Sequence, residues 1–201
     1  YTLNLADYNG GAITPNGQSV ALTKTVLAEN PILVNSVLTE GDKKIGYLMY
    51  NGFFSAYDNQ LNTVFGNFSA QGVTDLVLDL RYNSGGAVTS ATKLASMITG
   101  QFDGQLFARE QWNSKAQAYF LANNPTRLEN KFVSGLNGLN LTKVYVLTSK
   151  SSASASELVI NCLKPYIQVV QIGDVTAGKN VGSITLYDSP TFAKTDVNKS
   201  H

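Results

Sequence analysis

Three stretches of this chain carry residue types that could do chemistry. The first is Ser151-Ser152-Ala153-Ser154-Ala155-Ser156-Glu157. It follows a β-rich run, Val144 to Thr148, and leads into Ala155, Leu158, Val159, Cys162 and Leu163 at one-face helical spacing. Pro165 ends that helix. A strand, a tight small-residue turn and a helix can present a serine hydroxyl at the turn, with helix N–H groups ready for an oxyanion. By themselves the same residues read more readily as Ser-x-x-Glu, a capping box with no chemistry. The second stretch runs from Asp79 through Arg81-Tyr82-Asn83-Ser84 to Gly85-Gly86. Such a glycine pair is either a turn needing positive φ or a backbone N–H aimed at a developing oxyanion. The third is Gly173 to Lys179, ending in Gly178-Lys179.

Histidine decides which serine chemistry is open. The chain has one, His201, at its last position, where residues fray. A Ser-His-Asp triad is therefore excluded, and the base for Ser154 has to be another residue; lysine is the known substitute. Lysine acts as a general base only where burial lowers its pKa from roughly 10.4 toward neutrality. Gly173 to Lys179 also fits G-x-x-x-x-G-K, but Asn180 replaces the Ser or Thr of a phosphate-binding loop and strand-like residues follow, so nucleotide binding is disfavoured. With one His and one Cys, a zinc site is disfavoured too. Net charge is +1, which gives no reason to expect nucleic acid or an anionic membrane as partner, and no apolar run approaches the roughly 20 residues of a membrane span. The single cysteine, Cys162, rules out an internal disulfide and reads as a structural thiol on the apolar helix face.

The elements that must hold these stretches follow from periodicity. At 201 residues with 43% hydrophobic content, the chain can bury a full core. Residues 1–28 read as two strands punctuated at Asn9-Gly10-Gly11 and Pro15-Asn16-Gly17, with Glu29-Asn30-Pro31 as a linker. Ile32 to Leu38 and Ile45 to Met49 flank a Glu40-Gly41-Asp42-Lys43 hairpin turn. Ser55 with Asp58 weakly caps a helix bearing Leu61, Val64, Phe65 and Phe68. Leu76 to Leu80 is a continuous apolar strand, the pattern of a sheet covered on both faces. A helix with Val88, Ala91, Leu94, Ala95 and Ile98 inward comes next. Residues 101–140 suggest a short strand at Leu106-Phe107-Ala108, a helix over Ala116 to Leu121, and loops that could form a lid or groove. Strands at Ile167 to Ile172 and Ser183 to Tyr187 complete an α/β alternation.

Taken together, the three stretches resemble the C-terminal processing (tail-specific) peptidases, a family of Ser-Lys dyad serine peptidases. The family's Ser-Ala-Ser-Ala-Ser-Glu stands here as Ser152 to Glu157, its Asp-Leu-Arg-x-Asn-x-Gly-Gly as Asp79 to Gly86, and its lysine, after a strand and a Gly-Lys turn, as Lys179. The resemblance covers about residues 30–187. It implies a crotonase-like layered α/β core over 30–201, preceded at 1–29 by the last hairpin of an incomplete PDZ-like module. It implies a serine endopeptidase that cleaves proteins or peptides near their C-termini through an acyl-enzyme, with Ser154 as nucleophile, Lys179 as base and the N–H groups of Gly85 or Gly86 and of Ala155 as oxyanion hole. Glu157 is expected to support as cap and anchor. Ser183 stands where many members carry a lysine-orienting glutamine, and Pro165 where some carry Asp or Gln. No metal or cofactor is implied, an exported, periplasmic or cell-envelope location is, and a homo-oligomer is left open. The chain, which starts at Tyr1 without Met, reads as an excised piece of something longer. The alternative is a catalytically inactive binding module on the same core, since a fold alone does not give activity.

Overall fold

A computed structural model of the chain describes residues 1–185, 187–189, 194–198 and 200. Two compact units divide it, Tyr1–Asn30 and Pro31–His201. In the first, β1 (Thr2–Asn9) and β2 (Ala12–Ala21) pair antiparallel around Gly10 and Gly11. The Pro15-Asn16-Gly17 break is not a second turn. It lies inside β2, where the register slips between Asn4 and Ala6 and Gly17 takes φ 75°. A proline without an N–H and a left-handed glycine are accommodated by a bulge without ending the strand.

The second unit begins with a hairpin, β3 (Ile32–Glu40) and β4 (Lys43–Tyr50), closed by Gly41 at φ 57° and Asp42. Then follow α1 (Asp58–Ala70), β5 (Asp75–Asp79), α2 (Val88–Thr99), β6 (Leu106–Arg109), α3 (Ser114–Asn123), β7 (Glu129–Lys131), β8 (Lys143–Thr148), α4 (Ala155–Leu163) and β9 (Gln168–Gly173). The main sheet has the order β3-β4-β5-β8-β9, antiparallel only between β3 and β4. Each parallel step needs a crossover, and α1, α2 and α4 lie on those crossovers. Crossovers of one hand that all advance in one direction along a sheet put their helices on one face. That face is the core. Leu48, Leu76, Leu78, Val144 and Val146 from the strands meet Leu61, Phe65, Leu94, Ile98, Val159 and Leu163 from the helices, all buried.

The expectation of a sheet covered on both faces is corrected by this arrangement. Val77 alternates with Leu76 and Leu78 and is only half-buried; with Lys43, Ile45, Asp75, Tyr145, Leu147 and Ile172 it lines an open cleft of about 230 Å³. Ser55 does not cap α1, because a 3-10 turn over Ser55–Tyr57 intervenes. Asp58 instead accepts from Lys93 Nζ at 2.8 Å, tying α1 to α2. Residues 106–131 form a two-stranded sheet, β6 with β7, carrying α3, which has no buried residue. The strand expected at Ser183 to Tyr187 is not formed at residues 183–185 or 187, and Leu186 lies outside the described residues, as does His201. Cys162 is half-buried against the core. Among the described residues no helix is long and apolar enough to cross a membrane.

Candidate active site

The site grows from the end of β5. Asp79 is fully buried, and Arg81 holds its carboxylate with Nε at 3.0 and 3.1 Å and Nη2 at 2.7 Å, while Tyr47 Oη donates at 2.7 Å. Burial alone would raise the Asp79 pKa, but the bonds from Arg81 and Tyr47 outweigh it and hold the carboxyl below its ordinary range. The pair stiffens the strand end, and the chain then turns through Asn83. This fully buried amide donates from Nδ2 to Tyr50 O at 2.8 Å and accepts from Gly85 N–H on Oδ1 at 2.9 Å. Its carbonyl accepts from Ala153 N at 3.1 Å and Ser156 Oγ at 2.8 Å. Asn83 thus joins β4, the glycine pair and the serine turn.

Both glycines are required by space. Gly85 (φ 110°) has Ser154 Cβ only 2.7 Å from where its own Cβ would be, and Gly86 (φ 141°) has Phe53 O at 2.4 Å. Phe53 bridges the pair in parallel fashion, its N–H donating to Gly85 O at 3.0 Å and its carbonyl accepting from Ala87 N at 2.8 Å. Gly85 N–H is therefore spent on Asn83, whereas Gly86 N–H has no acceptor among the described residues.

The serine turn rests on β5 through its flanking serines. Ser152, fully buried, donates to Leu80 O at 2.7 Å and accepts from Ser149 N at 3.0 Å; Ser149 Oγ donates to Arg81 O. Ser154 then takes φ 55° and ψ −111°, a positive φ that non-glycine residues rarely adopt. α4 starts at the next residue, so Ala155 N–H is a first-turn group with no intrahelical partner. The capping-box reading survives in part, since Glu157 Oε2 accepts from Ser154 N at 2.7 Å.

Glu157 does more than cap. Oε2 also accepts from Lys179 N at 2.9 Å, and Oε1 accepts from Thr176 Oγ1 at 2.7 Å and Gly178 N at 2.6 Å. Burial pushes its carboxyl up, but these bonds to Thr176, Ser154, Gly178 and Lys179 win and keep it below its ordinary value. The loop after β9 is further tied by Ala177 N donating to Ser152 O at 2.9 Å and Thr148 Oγ1 donating to Asp174 O at 2.8 Å. Gly173 (φ 117°) lets that loop pass Thr148 O.

Ser154, Gly85, Gly86, Ala155, Glu157 and the backbone of Lys179 thus lie together. The Lys179 side chain is exposed, and no hydrogen bond joins its ammonium to Ser154 Oγ among the described residues. Ser183 and Pro165 are both exposed, and among the described residues neither has a hydrogen bond to this network. Residues 180–185, directly after Gly178-Lys179, form no helix, so the phosphate-loop reading fails on context. Among the described residues no group of three His, Cys, Asp or Glu is placed to hold a metal. Sequence reasoning gave no role to Asn83, Ser152, Ser156 or Thr176. Asn83 was within reach, as an amide that offers two donors and an acceptor inside the Asp79-to-Gly86 motif.

The model of peptidase family S41 matches residues 44–191. A probable CtpA-like serine protease of Staphylococcus epidermidis (strain ATCC 12228 / FDA PCI 1200) is 26% identical over 159 residues, 79% of this chain and 30% of that protein. A carboxyl-terminal-processing protease of Picosynechococcus sp. is 23% identical over 168 residues, 84% and 37% of the two chains. The chain spans about a third of the length of these curated relatives. Among solved structures, one described as an S41 protease of Bacteroides fragilis NCTC 9343 superposes with a TM-score of 0.71 at 33% identity, covering 94% of this chain and 50% of that one. The photosystem II D1 C-terminal processing protease shares the fold at a TM-score of 0.59 and 23% identity, covering 85% and 43%.

Proposed function

Because the chain belongs to peptidase family S41, we propose that it carries the catalytic core of a serine endopeptidase working by a Ser154-Lys179 dyad. Lys179 takes the proton from Ser154 Oγ as that oxygen attacks a peptide carbonyl. Ala155 N–H and Gly86 N–H receive the oxyanion. The tetrahedral intermediate collapses to an acyl-enzyme as Lys179 protonates the leaving amine; water, deprotonated by Lys179, then releases the acid and restores Ser154. One observation carries this reading: Ser154 is held at φ 55° against Gly85, at the start of α4, and the neighbouring Gly86 and Ala155 N–H groups have no acceptor among the described residues. Backbone strain of this kind, of order 1–3 kcal/mol, persists where surroundings over-determine it and clusters at active sites.

The exposed Lys179 ammonium favours a second reading, an inactive peptide-binding module. In the peptidase reading a bound polypeptide lies over the loop and removes water from the lysine, as general-base lysines require. Cleavage of casein by the chain and its variants separates the two. Ser154→Ala and Lys179→Ala should each lower the rate by about 10³-fold or more. Undiminished cleavage by Ser154→Ala overturns the assignment, and saturable peptide binding by the parent chain without turnover supports the binder.

Several finer features belong to the same proposal. The relatives' names favour cleavage near C-termini and protein or peptide substrates rather than nucleic acid. Residues 30–201 are read as a crotonase-like core and 1–29 as the closing hairpin of a PDZ-like module. An exported, periplasmic or cell-envelope setting and a homo-oligomeric assembly are carried by the family resemblance alone.

A further inference from the structure

We propose that Glu157 is the positioning residue of this site, its carboxylate setting where Lys179 stands relative to Ser154. This rests on the dyad reading above. A carboxylate offers about four acceptor positions. Here four donors fill them: Ser154 N and Lys179 N on Oε2, Gly178 N and Thr176 Oγ1 on Oε1. One oxygen atom is thus shared by the backbones of the two dyad residues. The loop from 174 to 185 has no regular structure to fix it. Its other backbone ties to the serine turn and β8 come earlier, at Asp174 and Ala177. Gly178, at φ 79°, has nothing within 4 Å of a would-be Cβ, so packing does not hold it. Ser183, which stands where many family members carry a lysine-orienting glutamine, is exposed. The lysine's placement therefore falls to Glu157. With all four acceptor positions occupied, Glu157 is spent on geometry and does not serve as acid or base.

Glu157→Gln preserves shape but offers one acceptor oxygen, and its NH₂ faces N–H donors, so part of the clamp must open. The experiment measures casein cleavage and amide hydrogen exchange on the parent chain, Glu157→Gln, Thr176→Val and Thr176→Ser. Expected for Glu157→Gln are a fall in kcat of about tenfold or more with KM within about threefold, and faster exchange confined to residues 176–179, since an ångström of misplacement can cost about 10²-fold. Thr176→Val should move the same way and Thr176→Ser should recover. A Glu157→Gln chain with parent kcat and protected amides overturns the proposal, as does a rise in KM alone. If Glu157→Gln does not fold, the Thr176 pair decides, and equal kcat in Val and Ser variants overturns it. Failure of the dyad reading shows separately, as retained cleavage in Ser154→Ala and Lys179→Ala; the exchange measurement then still tests the clamp.

Discussion

The chemistry of this site is set by how few atoms are left unsatisfied around Ser154. Asn83 accepts from Gly85 N–H and Glu157 from Ser154 N–H, whereas Gly86 N–H and Ala155 N–H have no acceptor among the described residues. The glycine pair makes this packing possible, and Gly85→Ala tests it. A Cβ there would sit 2.7 Å from Ser154 Cβ and 3.0 Å from Ala155 N, at φ 110°. The expected cost is about 1–3 kcal/mol, read as a fall in Tm of about 2–4 °C per kcal/mol, together with loss of casein cleavage. Gly72→Ala, at φ 72° with nothing within 4 Å, bears only backbone strain and should leave cleavage intact. A pH dependence follows from the two depressed carboxyls. Glu157 and Asp79 have folded-state pKa values below their ordinary 4.5 and 3.8, so each contributes stability above those values. That contribution is lost as pH falls through the folded values. Thermal melts should therefore show Tm dropping below about pH 4, less steeply in Glu157→Gln.

At the scale of elements, the site sits at the C-terminal ends of three parallel strands. β5 delivers the Asp79-to-Gly86 turn, β8 the serine turn and β9 the lysine loop, so three adjacent strand ends bring together residues spread over a hundred positions. One face of this sheet is sealed by α1, α2 and α4, and the other carries the open cleft around Val77. Neighbouring residues of one strand should then differ sharply. Leu78→Ala should cost about 2–5 kcal/mol as a buried cavity, whereas Val77→Ala should cost about 1 kcal/mol or less because its side is already half wet. Denaturant unfolding of the two variants measures this, and equal losses would contradict the one-sided sheet. An apolar run such as Leu76 to Leu80 does not by itself say how many faces are covered: Val77 makes both faces look apolar, although Asp75 and Asp79 alternate onto its side and mark that face as the wetter one.

Across the whole molecule, the two units differ in what holds them. Pro31–His201 has a continuous core, whereas nearly every residue of β1 and β2 is exposed. An isolated two-stranded hairpin is marginal in water. Amides of β1 and β2 should exchange orders of magnitude faster than those of β5 and β8, whose opening tracks global unfolding. Equal protection would mean that the hairpin is held by contacts beyond its own pairing.

The local features of this protein are legible in its residue order. Periodicity located α1, α2 and α4 to within a few residues and most of the strands, because burial on one face leaves its spacing in the residue types. Ordered small-residue and glycine motifs carried the family resemblance. The tertiary structure decided what depends on distant partners: the bulge at Pro15-Asn16-Gly17, the irregular course of residues 174–185, and which glycine keeps a free N–H. It also revealed Asn83 and Glu157 as hubs. A hydrogen bond between residues 83 and 153, or 157 and 179, is a fact of chain crossing, and no local propensity encodes it.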